Sequence, residues 1–274
     1  MAKAVRMMEE NLNLCDAVVF VLDARAPAAS YNPRLSLMAK NKPALYLLNK
    51  SDLADEKAEA LASAVKRSGK NVLLFSASSA QIRPLQAAMR AVARERAEKL
   101  AQKGSARPLR FLVAGIPNTG KSTVINLLSG GKKAQTGDKA GVTRAKQWVK
   151  CDGFDLLDTP GAMPPSCENQ RLAVRLACLG SINDDILETD EIAFALLGEL
   201  YEKYPERLLD RYGIEGGTPL EMLERVCARR GFVLKGGEYD YERGERALID
   251  DFRKGKLGRV CLDGEEDLKE VGLI

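Results

Sequence analysis

Residues 115–122 read Gly-Ile-Pro-Asn-Thr-Gly-Lys-Ser and match the pattern Gly-x-x-x-x-Gly-Lys-Ser/Thr, which binds nucleotide phosphates. Its glycines let backbone N–H groups curl around phosphate oxygens at the start of a helix. Lys121 would bring a positive charge to the terminal phosphates, and the Ser122 hydroxyl could bind Mg²⁺. The alternative is an ordinary glycine-rich turn. The predicted phosphate contacts are Asn118, Thr119, Gly120, Lys121, Ser122 and Thr123.

A second polar segment, Asn49-Lys50-Ser51-Asp52, follows an apolar run and carries side chains that can recognise guanine. The Asp52 carboxylate could accept hydrogen bonds from N1–H and N2–H₂ of guanine, a donor pair that adenine lacks. Asn49 would contact the opposite base edge, Lys50 would pack on the ring, and a backbone N–H of Ser76-Ala77 would lie near O6. Alone, the tetrapeptide is equally typical of a turn after a strand. Beside a phosphate-binding loop, it indicates guanine specificity.

Two further segments could sense the γ-phosphate. Thr143 ends a polar stretch over 132–143 and could ligate Mg²⁺ when that phosphate is present, although the stretch alone would be an ordinary surface loop. Asp158, in Asp158-Thr159-Pro160-Gly161, could hold the ion through water, and the Gly161 N–H could contact the γ-phosphate. The predicted Mg²⁺ ligands are Ser122, Thr143 and Asp158, and the predicted catalytic contacts are Lys121, Thr143 and Gly161.

The position after Gly161 carries no catalytic side chain. Ras-like GTPases have a glutamine there to orient the attacking water, whereas this chain has Ala162. The chain also contains no histidine, the commonest general base. Asn118 resembles the asparagine of potassium-activated GTPases, where K⁺ supplies positive charge to the transition state. A loop-stabilising asparagine is the alternative. We therefore predict slow intrinsic GTP hydrolysis that K⁺ accelerates.

Apolar runs alternate with helical segments and predict a parallel sheet covered by helices. The strand candidates are 17–22, 44–48, 72–75 and 109–114, followed by a hairpin over 147–157. The guanine segments precede the phosphate loop, whereas in Ras-type GTPases they follow it. A circular permutation explains this order if a helix over 81–102 and a linker over 103–108 join the original ends. The predicted fold is α/β: a circularly permuted Ras-like P-loop GTPase domain over 1–165 and an α-helical domain over 166–274.

The sequence over 166–274 contains no set of residues whose types and spacing indicate a catalytic site. Asp190–Tyr204 has one apolar side, Thr218-Pro219-Leu220-Glu221 is a capping box, and a further helix is expected over 240–254. The basic run over 253–259 could contact RNA phosphates, but a solvated helix end explains it equally well. Because the permuted domain ends just after Gly161, this region is attached directly to the segment that senses the γ-phosphate.

Composition narrows the class of protein. Hydrophobic residues make up 45% of the 274 positions, enough for a buried core, and the net charge of +4 is compatible with RNA without requiring it. The six cysteines form no Cys-x-x-Cys pair, which indicates reduced thiols rather than disulfides or a zinc site. No signal peptide and no apolar run of about 18 residues is visible, so we predict a cytoplasmic protein without membrane contact.

Taken together, these motifs resemble the ribosome biogenesis GTPase A family over nearly the whole chain. The resemblance rests on the permuted order and on Asp23-Ala24-Arg25-Ala26-Pro27, residues 115–122, Asp158-Thr159-Pro160-Gly161 and Tyr204-Pro205-Glu206-Arg207-Leu208. It implies a cytoplasmic GTPase, expected to be a monomer, that uses GTP/GDP, Mg²⁺ and K⁺. It also implies that the helical domain over 166–274 binds RNA and the ribosome. The implied action is in late maturation of the large ribosomal subunit, on a precursor of rRNA and ribosomal proteins, with stimulation by that particle.

Two departures from the family accompany the resemblance. Family members carry Pro-Gly-His before the Met-Ala-Lys-Ala that begins this sequence, and that histidine is proposed to help catalysis. Ala140 stands where the family usually has proline. The missing histidine, together with Ala162, keeps open a second interpretation: an RNA-binding scaffold that holds GTP and scarcely hydrolyses it.

Overall fold

The computed structural model describes residues 9–78, 81–131, 147–159, 161, 163, 169–182 and 188–274. Within them a six-stranded sheet has the order β3-β2-β1-β4-β6-β5. Its strands are β1 (Ala17–Asp23), β2 (Ala44–Asn49), β3 (Asn71–Leu74), β4 (Leu109–Ala114), β5 (Gln147–Cys151) and β6 (Phe154–Asp158). Adjacent strands are parallel except for the β5–β6 hairpin, which is antiparallel.

The central strands are buried on both faces, which explains their continuous apolar runs. Every residue of β1 is buried, and so are the last four of β4. Helices α1 (Pro33–Met38), α2 (Lys57–Arg67), α3 (Ile82–Val92), α4 (Arg94–Gln102) and α5 (Lys121–Leu128) accompany the strands. Side chains of α3 and α5, among them Met89 and Val124, pack in the same apolar core as Val19 and Val113. Burial of these faces is the main stabilisation of the sheet.

The register of the sheet brings the ends of four strands to one edge. Asp23, at the end of β1, pairs with Asn49, at the end of β2. Val113, one residue before the end of β4, pairs with Asp158, at the end of β6. The segments that follow these strands therefore leave the same edge, where open α/β sheets bind their ligands.

The helix expected over 81–102 is interrupted. Ala93 separates α3 from α4, with φ −95° and ψ 11°. Its side chain is fully buried, whereas Arg94 and Glu98 of α4 form an exposed ion pair. The segment expected to form one helix is thus a packed helix and a mainly solvated one, followed by Gly104 with φ 66°.

The chain divides into two compact units, Met1–Ser166 with Asp263–Ile274, and Cys167–Leu262. The sequence-based division had assigned everything from 166 to 274 to the second domain. The last segment, which includes α11 (Glu265–Glu270), instead belongs to the first unit. Sequence periodicity could not identify this return, because it depends on contacts with residues far away in the chain.

The second unit is helical, as predicted. Its helices are α6 (Gln170–Cys178), α7 (Thr189–Lys203), α8 (Pro205–Tyr212), α9 (Pro219–Arg230) and α10 (Tyr241–Arg253). The predicted capping box at α9 is present, since Thr218 and Glu221 bond each other's backbone N–H groups. Helices α6 and α8 were not among the predicted elements.

Residues of the basic run at the C-terminal end of α10 form contacts within their own unit. Arg253 donates to the carbonyl oxygens of Ala177 and Cys178 at 2.8 and 3.1 Å, which satisfies the C-terminal end of α6. Lys256 pairs with Asp251 at 3.1 Å. Buried Asp251 also accepts hydrogen bonds from three further side chains, those of Arg211, Tyr212 and Arg230. These contacts occupy Arg253 and Lys256 within the unit, and both the solvated helix end and rRNA contact by this run stay predictions.

Candidate nucleotide-binding site

The loop between β4 and α5 has the backbone of a phosphate cradle. Gly115 and Gly120 have φ values of 154° and 93°, and Asn118 has a φ of 61°. A Cβ on Gly115 would lie 2.4 Å from the Val21 carbonyl oxygen, and one on Gly120 would lie 2.3 Å from Asn49 Nδ2. Both positions therefore require glycine for space as well as for backbone conformation. The helix that follows directs the free N–H groups of its first turn toward the loop.

The segment after β2 touches this loop directly. Asn49 Nδ2 donates to the Thr119 carbonyl oxygen at 2.9 Å, and Lys50 Nζ donates to the Asn118 carbonyl oxygen at 2.6 Å. Asn49 Oδ1 accepts the Ala77 N–H at 3.0 Å, so the segment after β3 joins the same cluster. The three segments predicted to bind one nucleotide are thus adjacent in space.

A small hydroxyl cluster holds the Asp52 carboxylate. Ser76 donates to one carboxylate oxygen at 2.6 Å and Ser78 to the other at 3.1 Å, and the two hydroxyls lie 3.0 Å apart. The sequence analysis included Ser76 for its backbone and did not identify Ser78. Only the folded chain shows that both hydroxyls face the same carboxylate.

Lys121 is buried at the start of α5, and its Nζ donates to the Ile116 carbonyl oxygen at 2.7 Å. Burial lowers the pKa of Lys121 to about 8, and the nearby Asp158 charge acts in the opposite direction. Burial likewise raises the pKa of Asp158, an effect that Lys121 partly offsets. A phosphate group entering here would restore favourable surroundings to the lysine charge.

The segment after β6 also reaches the phosphate loop. Thr159 donates to the Val113 carbonyl oxygen at 2.8 Å, which ties the segment to β4. A Cβ on Gly161 would lie 2.9 Å from Pro117, so a side chain there would collide with the loop. Gly161 therefore lies directly against the phosphate loop. Thr143 and Ala162 lie outside the described residues.

Comparison with known proteins shows the family to which this chain belongs. Residues 110–209 match the family model described as 50S ribosome-binding GTPase. The chain is 37% identical to the ribosome biogenesis GTPase A of Bacillus cereus, covering 98% of this chain and 93% of that one. This chain belongs to the ribosome biogenesis GTPase A family. Solved structures of YlqF agree: the GNP-bound Thermotoga maritima form matches with a TM-score of 0.67 at 32% identity, covering 97% and 99% of the two chains. The GDP-bound form has a TM-score of 0.68 at 30% identity, covering 95% and 100%.

Membership of the GTPase A family confirms the predicted fold and the predicted GTPase class. The order β3-β2-β1-β4-β6-β5, with guanine segments before the phosphate loop, is that of a circularly permuted P-loop GTPase. The Asp-Ala-Arg-Ala-Pro stretch that contributed to the resemblance lies in the loop after β1, beside the site. Within the part of the chain that the structure describes, every helix is too short or too polar to cross a bilayer.

This GTPase A family member also contains a buried charge cluster that the sequence analysis missed. Asp23 is fully buried at the end of β1 and accepts two hydrogen bonds from the Arg25 guanidinium, at 3.0 and 2.9 Å. Lys50 Nζ lies 2.8 Å from the same carboxylate. Burial alone would raise the pKa of Asp23, but the two cations hold it well below its usual value. The sequence carried one signal of this cluster, because charged residues stand at the end of an otherwise wholly apolar strand.

Asp263, which is distant in sequence, holds the loop after β1 in place. The Asp263 carboxylate accepts hydrogen bonds from the backbone N–H groups of Ala28 and Ala29, at 2.6 and 3.2 Å. Ser30 Oγ accepts the Asp23 N–H and donates to the Ala26 carbonyl oxygen. All of 24–32 is buried, so this loop is a fixed part of the first unit.

Proposed function

We propose that this chain binds GTP where segments 49–52, 76–77 and 115–123 meet, and hydrolyses it to GDP and phosphate as an assembly factor for the large ribosomal subunit. One observation carries the nucleotide site: the hydrogen bonds from Asn49 and Lys50 to the carbonyl oxygens of Thr119 and Asn118. They support the proposal that the base-recognition segment and the phosphate loop belong to one site.

The base end of the site suits guanine. Each carboxylate oxygen of Asp52 accepts one serine hydroxyl and keeps acceptor capacity for N1–H and N2–H₂ of guanine. Ser76 and Ser78 would hold the carboxylate in place before the base arrives. Asn49 Nδ2 has one hydrogen committed to Thr119 and a second available for the opposite base edge. Adenine would offer an acceptor where the aspartate needs donors.

The phosphate end would use the backbone N–H groups over 118–123 and the charge of Lys121, which would leave the Ile116 carbonyl for the terminal phosphates. Ser122, Asp158 (through water) and Thr143 would hold Mg²⁺. The bound ion would supply positive charge to the phosphate oxygens. Asn118, whose side chain is exposed in the loop, would hold K⁺. Gly161 would donate its N–H to the γ-phosphate.

Hydrolysis by the isolated chain should be slow. The chain contains no histidine, and alanine stands where Ras-like enzymes place glutamine. We infer that K⁺ and the ribosomal precursor raise the rate. Relatives named ribosome biogenesis GTPase A and the family description as 50S ribosome-binding support the large subunit as partner. Cytoplasmic location, late action in assembly and a monomeric state belong to the same proposal.

Replacing Asp52 tests the nucleotide assignment. Asp52→Asn should weaken GDP binding by roughly 100-fold, because one acceptor becomes a donor facing a guanine donor. The same variant should gain affinity for xanthosine diphosphate (XDP), which has a carbonyl in place of the N2 amine of guanine. Titrations with fluorescent GDP, XDP and ADP measure all three. Equal affinity of the unaltered protein for GDP and ADP would contradict the guanine site.

A scaffold with little turnover remains a second candidate, favoured by alanine at position 162, where Ras-like enzymes place glutamine. Single-turnover GTP hydrolysis separates the two, measured with large-subunit precursor, with small subunits and without particles, in K⁺ and in Na⁺ buffers. The enzyme proposal requires faster hydrolysis with the large-subunit precursor. GTP-dependent binding to that particle with unchanged hydrolysis would favour the scaffold.

A further inference from the structure

The ammonium of Lys50 makes two contacts at once. It lies 2.8 Å from Asp23 Oδ2 and donates to the Asn118 carbonyl oxygen at 2.6 Å. The side chain is 24% exposed, whereas the aspartate side chain is completely buried. Lys50 therefore reaches from a rigid anchor at the end of β1 to the tip of the phosphate loop.

Both backbone positions at the ends of this contact are unusual. Lys50 and Asn118 each have a φ of 61°, the left-handed conformation that residues with a Cβ adopt at a cost. Such conformations persist where surrounding contacts hold them. The Lys50 to Asn118 hydrogen bond joins these two strained positions to each other.

The anchor, the Asp23 carboxylate, is itself held in place. Arg25, whose side chain is only 1% exposed, donates hydrogen bonds to both carboxylate oxygens of Asp23, and Ser30 Oγ accepts the Asp23 N–H at 2.9 Å. A lysine stem has four flexible bonds, so its ammonium is localised only where a partner localises it. A fixed carboxylate at 2.8 Å supplies that partner.

We propose that Asp23 is a positioning residue of the nucleotide site: it fixes Lys50, which in turn holds the Asn118 carbonyl and the tip of the phosphate loop in the conformation that receives the nucleotide. The inference rests on the proposed function, because it assumes that a guanine nucleotide occupies this loop. Asp23 itself touches no nucleotide in this scheme and acts only through Lys50.

A double-mutant cycle of nucleotide release tests the role. Asp23→Asn should speed dissociation of fluorescent GDP roughly tenfold, as expected for loss of a charge-assisted contact. Lys50→Met should speed it at least as much. If Asp23 acts through Lys50, adding Asp23→Asn to Lys50→Met should produce no further acceleration. Multiplication of the two effects would overturn the positioning role.

Stability must be separated from positioning. Asp23→Asn leaves a buried arginine short of its partner, so Asp23→Asn with Arg25→Met is the second variant, which removes both buried charges together. It should also release GDP faster, because Lys50 again loses its anchor. Release at the original rate from this folded variant would overturn the role.

Asp16→Asn is the matched control. Asp16 precedes the opposite end of β1, is equally buried, and pairs with Arg96 and Arg107 at 2.9 and 2.8 Å. It should lower thermal stability and leave GDP release unchanged, and faster release from this variant would mean that any buried ion pair acts as Asp23 does. Absence of GDP binding by the unaltered protein would overturn the proposed function itself, whereas multiplicative effects in the cycle would leave that function intact.

Discussion

The side-chain amide of Asn49 donates a 2.9 Å hydrogen bond to the carbonyl oxygen of Thr119, which lies 70 positions further along the chain. Its oxygen accepts the Ala77 N–H at 3.0 Å. One buried side chain thus joins the ends of β2 and β3 to the phosphate-binding loop. These segments are far apart in sequence, and this residue brings them into contact.

We expect Asn49→Ala to weaken GDP binding at least tenfold, because it removes both hydrogen bonds and leaves buried backbone groups unpaired. Isothermal titration with GDP measures the change. Asn71→Ala is the control, since Asn71 donates to the Ala44 carbonyl oxygen at 3.3 Å from an exposed position in the same sheet. Similar losses in both variants would contradict a special role for Asn49.

Gly120→Ala should abolish nucleotide binding. Its Cβ would lie 2.3 Å from Asn49 Nδ2, so the bridge to Thr119 would have to move. Gly130→Ala has the same kind of backbone, with φ 65°, and open space around the new Cβ. It should cost only about 1–2 kcal/mol of stability, from conformational strain, and keep GDP affinity. Titration with GDP measures the effect of the collision on binding, and thermal melting measures the effect of backbone strain on stability, for both variants.

Lys121→Met should lose nucleotide binding and gain stability without nucleotide. Burial lowers the folded-state pKa of Lys121 to about 8, against 10.5 for the ordinary side chain. The folded state therefore binds fewer protons between these values, so the lysine destabilises it below about pH 8, and the penalty fades as pH rises toward 10.5. The gain at pH 7 should reach at most about 3 kcal/mol, because the pKa of about 8 already includes the attraction to Asp158.

Urea unfolding of the nucleotide-free protein and its Lys121→Met variant, at pH 7 and pH 9.5, measures this gain. The difference between the two proteins should shrink at the higher pH. A variant that is less stable than the original at pH 7 would show that the contact with the Ile116 carbonyl outweighs the cost of burying the charge.

Asp263→Ala should destabilise the first unit by about 1–3 kcal/mol, because the N–H groups of Ala28 and Ala29 would lose their charged acceptor inside a buried loop. Glu265→Ala is the control, since its pair with Arg67 is exposed and should contribute under about 1 kcal/mol. Chemical denaturation of both variants provides the comparison. Equal, small effects would mean that the loop after β1 holds its shape without the C-terminal segment.

Much of this molecule was predictable because its signals are local. The apolar runs of β1 and β4 reflect burial on both faces, and the capping box at Thr218 is set by side chains three positions apart. The glycine and lysine pattern of the phosphate loop is likewise local. The break at Ala93 was missed because packing, rather than helical periodicity, places it.

The residues of the site divide in the same way, into those that local sequence predicts and those that only the fold reveals. Asp52 and Lys121 could be named from their motifs, because each is defined by its neighbours in sequence. The contacts of Asp23 could not, since a buried aspartate is stable only with cations whose positions depend on the fold. Asp263, in the segment that returns to the first unit, was missed for the same reason.

By itself, then, the sequence determined the chemical types at the site, the alternation of strands and helices and the permuted order of the motifs, because each depends on residues near one another in the chain. The tertiary structure decided that Asn49 and Lys50 bond the phosphate loop, that Asp23 anchors Lys50, and that residues after 262 rejoin the first unit. The physical reason is that hydrogen bonds and burial act through space, and distances across the fold are set only when the whole sheet has assembled.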